Sequence, residues 1–195
     1  MKKLVKGGLH GVSLAVAFLP ALLSAFGRVE KMFVLFAQAF ALAPGIVGDY
    51  LRIAYYKWTL DKCALDSRIQ FGSFFAHAQA QVGSGVYIGS WCILGRTAIG
   101  DRTQIASGVQ ILSGRRQHAR DGEGRILGSD PAEFQSVTIG ADCWIGAAAI
   151  VMAEVGAGST VGAGSIVVKP IPARSVAVGN PARVVKATEP ESGGQ

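Results

Sequence analysis

Aliphatic residues return at every sixth position through much of the chain. Val82 and Ile88 open the series, and after one five-residue step come Ile93, Ile99, Ile105 and Ile111. A later series runs through Ile139, Ile145 and Val151, then, after a four-residue step that tightens one corner, through Val155, Val161 and Val167. The next residue is repeatedly Gly or Ala, as at Gly83, Gly89, Gly100, Ala106, Gly140, Gly146, Gly156 and Gly162. A period of six fits neither the 3.6-residue helix nor strand alternation, so it marks an internal repeat. One short strand and one turn per hexad, with three hexads to a coil, predicts an all-β solenoid. This is a left-handed parallel β-helix of triangular section, with aliphatic residues stacked inward and glycines at the corners. About five coils are expected, with residues 69–81 as a degenerate lead-in. The competing pattern, a glycine-rich antiparallel sandwich, accounts less well for the fixed period.

The repeat is broken at length once, over residues 113–136, SGRRQHARDGEGRILGSDPAEFQS. A loop of that size inside a compact solenoid is a place for function. The other departure is N-terminal. Residues 7–27 contain no Asp, Glu, Lys or Arg, nor do residues 32–48, and only Arg28, Val29, Glu30 and Lys31 separate the two runs. The first run as a helix would reach about 30 Å, the thickness of a bilayer core. The pattern predicts a hydrophobic α-helical hairpin associated with a membrane. Pro20 and Pro44 would kink or end its helices, and the small residues Gly11, Ser13, Ala15, Ala17 and Ala21 would let the arms pack closely. Lys2, Lys3 and Lys6 before the hairpin, with Arg52 and Lys57 after it, suit a hairpin with both ends at the cytoplasmic face of a membrane. Residues 50–60, with Tyr55, Tyr56 and Trp58, are expected as an interfacial belt. A cleaved signal peptide is the alternative for the first 27 residues, but a second apolar run follows at once and favours a retained element.

The 195 residues suit one well-buried domain with an appendage. The expected division is a helical membrane-associated segment over 1–60, a β-helix over 61–186 with its loop at 113–136, and a disordered tail over 187–195. Three cysteines, Cys63, Cys92 and Cys143, have no CxxC spacing and are expected reduced and buried. The net charge of +6 is spread among apolar and glycine-rich segments, without the interleaved aromatics of a nucleic-acid surface. It fits anionic lipid headgroups or the phosphates of a nucleotide-like cofactor better.

The run over residues 139–183, IGADCWIGAAAIVMAEVGAGSTVGAGSIVVKPIPARSVAVGNPAR, resembles the end of the hexapeptide-repeat acyltransferases, the family of the serine, maltose and galactoside O-acetyltransferases. The likeness extends over about residues 72–186. The segments GDYLRIAYYKWTLDKC and QIASGVQILSGRRQHARD resemble the branch found beside bacterial polysaccharide assembly genes. The resemblance implies a homotrimer, acetyl-coenzyme A as donor, and an active site at each cleft between subunits. The loop lacks the pattern around the histidine found in the sugar acetyltransferases, which leaves the acceptor class open.

Acetyl transfer to a hydroxyl needs a base with a pKa near neutrality, which suits imidazole. The chain has His10, His77 and His118. His10 falls in the membrane-like segment. His118, flanked by Arg115, Arg116, Arg120 and Asp121, matches the place where the family carries its catalytic histidine. Asp121 is the nearest orienting carboxylate in sequence, with Asp101 and Asp142 as alternatives. His77, Arg115 and Arg116 are candidates for the acceptor pocket. For the donor, Gly146, Ala147, Gly162 and Ala163 would let a pantetheine arm lie against the backbone, with Trp144 beside it. Lys169, Arg183 and Lys186 suit coenzyme A phosphates. No metal is expected, because a zinc site of the kind this β-helix holds in another family needs three histidines. The expected function is an acetyl-coenzyme A-dependent O-acetyltransferase acting on a sugar hydroxyl of a glycan or lipid-linked glycan precursor. An N-acetyltransferase on an amino sugar and a noncatalytic trimeric scaffold at the membrane are its rivals.

Overall fold

The structure is a computed structural model and describes residues 2–114, 118–129 and 134–187. The tail at 188–195 lies outside these. Three helices, α1 (Lys2–Leu23), α2 (Glu30–Ala41) and α3 (Gly45–Thr59), precede a solenoid of about six turns. Its strands are β1 (Lys62–Cys63), β2 (Arg68–Ile69), β3 (Phe74–Phe75), β4 (Gln81–Val82), β5 (Tyr87–Ile88), β6 (Ile93–Leu94), β7 (Thr97–Ile99), β8 (Gln104–Ile105) and β9 (Gln110–Ile111). After a hairpin of β10 (His118–Arg120) and β11 (Ile126–Ser129) they continue as β12 (Val137–Ile139), β13 (Trp144–Ile145), β14 (Ile150–Val151), β15 (Thr160–Val161), β16 (Ile166–Val167), β17 (Ser175–Val178) and β18 (Arg183–Ala187).

Parallel pairing in register stacks these strands into three faces. Face A is β1-β4-β7-β12, prolonged by single bridges from Ile139 to Val155 and from Val155 to Ile171. Face B is β2-β5-β8-β13-β15-β17, closed by antiparallel β18, and face C is β3-β6-β9-β14-β16. The inward residues are fully or nearly fully buried: Cys63, Val82, Ile99, Ile139, Val155 and Ile171 on face A; Ile69, Ile88, Ile105, Ile145, Val161 and Ala177 on face B; Phe75, Leu94, Ile111, Val151 and Val167 on face C.

Two expectations are corrected here. The solenoid, whose first strand begins at Lys62 as the expected division at residue 61 allows, has about six turns rather than five, because Cys63 and Phe75 fill inward positions that an Ile/Val template misses. The inward residue of β6 is Leu94, and Ile93 is 41% exposed. The signal was present: Gly95 follows Leu94 as Gly83 follows Val82 and Gly89 follows Ile88. With Leu94 in place, inward residues are six apart from face A to face B and from B to C in every coil. All variation in length falls at the C–A edge, between Phe75 and Val82, Leu94 and Ile99, Ile111 and Ile139, Val151 and Val155, and Val167 and Ile171.

On faces B and C a second buried position, two residues before the inward one, holds only small side chains. Where it is Ser or Thr, its hydroxyl joins successive coils. Ser67 donates to the Gly83 carbonyl (2.7 Å) and accepts from the Val86 amide (2.9 Å), and Thr103 bridges the Gly140 carbonyl and Cys143 amide likewise. Cys92 and Cys143 occupy this position, and all three cysteines are free and buried. Burial pushes the Cys63 thiol up to about 12 and raises those of Cys92 and Cys143.

The first coil has no coil above it, and α3 takes that place. Arg52 is fully buried and donates through Nε to the Ile69 carbonyl (2.7 Å) and through Nη1 to the carbonyls of Phe40 (3.0 Å), Ala41 (3.3 Å) and Ala43 (2.7 Å). Its Nη2 pairs with Asp49 (2.7 Å). One guanidinium thus ties the carbonyls at the end of α2 to a carbonyl of the first coil. Burial lowers its pKa, and the bond to Asp49 opposes that. The buried Tyr56 hydroxyl accepts from the Phe75 amide (3.1 Å), and the Gly72 amide donates to the Ala41 carbonyl (2.8 Å). Residues 50–60, expected as an interfacial belt, are therefore the capping part of α3, with Arg52, Tyr55 and Tyr56 in the core.

The expected two-armed hairpin is also revised. Helices form over both apolar runs, but each packs on α3 more than on the other. Pro20 lies in the last turn of α1, while Pro44 is the N-cap of α3. Ser13, Ala17 and Ala21 are buried, whereas Gly11 and Ala15 are exposed. Ala17, Ala21 and Phe33 belong to one continuous core with the inward residues of the prism. No helix among the described residues is long and apolar enough to cross a membrane.

Replacing Arg52 by Ala removes the side-chain partner of the Ile69 and Ala43 carbonyls and leaves Asp49 with Arg68 and Gln70 alone; it is expected to cost about 3–5 kcal/mol, read as a lowered urea midpoint. The raised thiols, with the buried phenols of Tyr55 and Tyr56, hold their protons more tightly folded than unfolded. Their contribution is complete below the free-thiol range near pH ~8.5 and is lost as the pH climbs toward the folded values. Urea midpoints are expected to be level below that range and to fall above it.

Candidate active site

The loop at 113–136 leaves the solenoid at the C–A edge, where the coils vary in length. Within it β10 and β11 pair antiparallel, His118 opposite Ser129 and Arg120 opposite Ile126. His118 stands exposed on this hairpin. Asp121 Oδ1 accepts from the amides of Glu123 and Arg125, both at 2.9 Å, and Arg120 donates to the Gly124 carbonyl (2.6 Å). Asp121 therefore builds the hairpin turn. Arg115 and Arg116 lie outside the described residues.

The base of the loop rests on two earlier turns of the same edge. The Gln135 amide donates to the Ser113 carbonyl (3.1 Å), and Ser113 Oγ accepts from the Arg96 amide (2.9 Å). The Arg96 guanidinium lies 5.4 Å from the Phe134 ring centroid, and the His77 ring packs on the same Phe134 at 5.0 Å between centroids. Arg96 Nε is buried without a hydrogen-bond partner among the described residues. His77 Nδ1 is 2.8 Å from Glu30 Oε1 at the start of α2, a contact that fixes the ring by its δ nitrogen. His77, Arg96 and the loop are thus successive C–A turns, stacked along one edge. Sequence reasoning named His77 but missed Glu30, Arg96 and Phe134; the irregular spacing around Ile93 was the only sign of Arg96.

The other candidate carboxylates belong to the A–B corner. Asp101 Oδ1 accepts from the Ser84 amide (2.8 Å), and Asp142 is paired with Arg102 (2.7 Å to Nε), which holds its carboxyl below the usual range. Neither is on the edge that carries the loop.

Gly146 and Ala147 form the B–C corner of one coil, and Gly162 and Ala163 that of the next, joined by the Gly164 amide to the Ala147 carbonyl (2.8 Å). A Cβ on Gly146 would lie 2.5 Å from the Ala163 amide nitrogen, so coil spacing alone demands glycine there. The Ala147 and Ala163 methyls are exposed. From this corner face C runs across Ile150 and Ile166 to Lys169, exposed at the C–A edge. Ala147, Ala163 and Lys169 therefore border one strip that ends on the loop's side of the prism. Arg183 and Lys186 lie apart, exposed on β18 at the end of face B, and Trp144 projects from face B with 60% exposure. Outward positions of face C are mainly apolar, with Phe74, Ile93, Ile150 and Ile166 around Gln110, while face A carries Lys62, Gln81 and Thr138. Among the described residues no group of three or more His, Cys, Asp or Glu could hold a metal.

Residues 136–169 match the family model described as the hexapeptide repeat of succinyl-transferase. No curated protein sequence is significantly similar to the chain. Among solved structures, a maltose O-acetyltransferase from Clostridium difficile 630 is 25% identical with a TM-score of 0.67, covering 87% of this chain and 89% of that one. The polySia-specific acetyltransferase NeuO is 23% identical with a TM-score of 0.51, covering 67% of this chain, which in turn spans 64% of NeuO. An S84A mutant of AntD, an N-acyltransferase from Bacillus cereus bound to dTDP-4-amino-4,6-dideoxyglucose and coenzyme A, is 23% identical with a TM-score of 0.50, covering 64% and 72%. Repeat, coil geometry and these likenesses converge: the chain is a hexapeptide-repeat protein with the β-solenoid fold of the hexapeptide-repeat acetyltransferases.

Proposed function

We propose that this protein is an acetyl-coenzyme A-dependent O-acetyltransferase that works as a homotrimer on a sugar hydroxyl, with His118 as general base. The observation that carries the reading is the C–A edge, where the loop bearing the exposed His118 leaves the prism and where the strip that starts at Ala147 and Ala163 ends at Lys169. The strip's methyl-sized side chains and its terminal lysine suit a pantetheine arm followed by phosphate. The likeness to AntD, which holds coenzyme A on this fold, supports that donor. An apolar outer face C is what three copies packed side by side would cover, and an exposed hairpin gains a second wall from the neighbouring copy.

In the reaction the neutral His118 imidazole takes the acceptor's hydroxyl proton as the oxygen attacks the thioester carbonyl. When the carbon–sulfur bond breaks, the imidazolium returns that proton to the leaving thiolate. Asp121 acts through the hairpin turn that presents His118, and Arg115 and Arg116 are proposed to meet the acceptor. His77, held by Glu30 at the loop base, is proposed to shape the acceptor pocket.

N-acylation of an amino sugar is the second reading, favoured by the likeness to AntD. Product chemistry separates them, because hydroxylamine cleaves an ester and leaves an amide. Coenzyme A release from acetyl-coenzyme A is expected to depend on a bacterial lipid-linked glycan extract and to fall about 10²- to 10⁴-fold in His118→Ala at unchanged thermal stability. A noncatalytic scaffold would show no acceptor-dependent release in either protein.

A further inference from the structure

Helix α1 is packed the opposite way from an ordinary surface helix. Its buried stripe, Ser13, Ala17, Ala21 and then Ser24 just past its end, is small and faces α3. Its outward stripe is large and apolar, with Val12 65%, Val16 52%, Leu19 60% and Leu23 53% exposed. A helix facing water presents polar residues outward, whereas small residues inward and branched aliphatics outward are the arrangement of helices that meet lipid. Large apolar side chains are exposed on the other two helices as well, at Leu35 and Leu42 in and after α2 and at Ile46 and Val47 at the start of α3. Phe18, Phe26 and Trp58 form a half-exposed aromatic cluster, with Phe18 and Trp58 5.5 Å apart.

We infer that this face of the three helices docks in the interfacial layer of an anionic membrane, with α1 lying in the membrane plane. The charge pattern selects lipid over a second copy of the chain. Lys2, Lys3 and Lys6 precede the uncharged run and Arg28 and Lys31 follow it, with no acidic residue before Glu30. Anionic headgroups complement cations at both ends of an apolar stripe, while a second copy would bring like charges together. No described helix is long and apolar enough to cross, so the face sinks about 5–10 Å into the headgroup boundary. A cavity of about 450 Å³ between α1, α3 and the first coil, lined in part by Ile46, Tyr50, Ile53 and Leu65, extends the apolar surface inward. Its Asp49 is held by Arg52 and Arg68, and its Asp66 by Ser84. Docking of this kind sets the first coil against the membrane and turns the β18 end away from it.

The test is flotation of the full chain with vesicles, without acyl donor, so that its outcome is independent of the transferase assay. The parent is expected to float with phosphatidylglycerol-containing vesicles. Val16→Glu combined with Leu19→Glu, at exposed positions and with folding checked by thermal melt, is expected to weaken binding at least about tenfold. Arg28→Ala is expected to weaken it about fivefold on anionic vesicles and little on phosphatidylcholine. The inference is overturned if the parent does not float, or if the double variant floats equally well. It is also overturned if the double substitution abolishes self-association while the parent never binds vesicles, which would make this face a protein interface.

Discussion

A stack of coils has two open ends, and the closure of the first one organises much of this molecule. The backbone groups of the top coil need partners, and the end of α2 leaves carbonyls that need them too. Arg52 supplies both from one buried guanidinium, held by Asp49, while Tyr56 answers the Phe75 amide. Placing a cation there has a desolvation cost, which is offset by four hydrogen bonds to carbonyls and the ion pair with Asp49. Because Arg52 fixes α3 on the prism, α3 becomes the platform for α1 and α2, and their outer faces are left for another surface to cover. At the opposite end β18 turns back on β17 and closes face B with an antiparallel pair.

Between the two ends the coils obey one rule with one exception. Faces A to B and B to C are joined by invariant hexads, because successive corner backbones nearly touch and leave no room for insertion. The C–A edge keeps no fixed length, and its turns range from the tight links after Val151 and Val167 to the long loop before Val137. His77, Arg96 and His118 all lie along it. A rigid prism with one permissive edge is a simple way to keep a variable site in register with a fixed scaffold.

Much of this was legible in the chain, for physical reasons that differ by residue. The period of six is a direct imprint of the triangular core, so the inward series from Ile99 to Val167 could be read without a structure, while Ile171 and Ala177 lay beyond it. Ile93 and Leu94 could not be told apart by hydrophobicity, though Gly95 distinguished them. The first coil was hidden because Cys63 and Phe75 fill inward positions with atypical residues. Arg52 looked like a membrane-flanking charge, since no local pattern announces a cation whose partners lie on α2, α3 and the first coil. The contacts of His77 with Glu30 and Phe134 are likewise long-range and left no mark in spacing.

The central claim is that acyl transfer occurs along face C and its loop edge. Hydrogen–deuterium exchange of the protein with and without saturating coenzyme A tests it most directly. Protection is expected in peptides covering Ala147, Ala163 and Lys169 and in the 118–129 hairpin, with the A–B corner around Asp101 and Asp142 unchanged. Protection centred on that A–B corner, or none anywhere, would contradict the account.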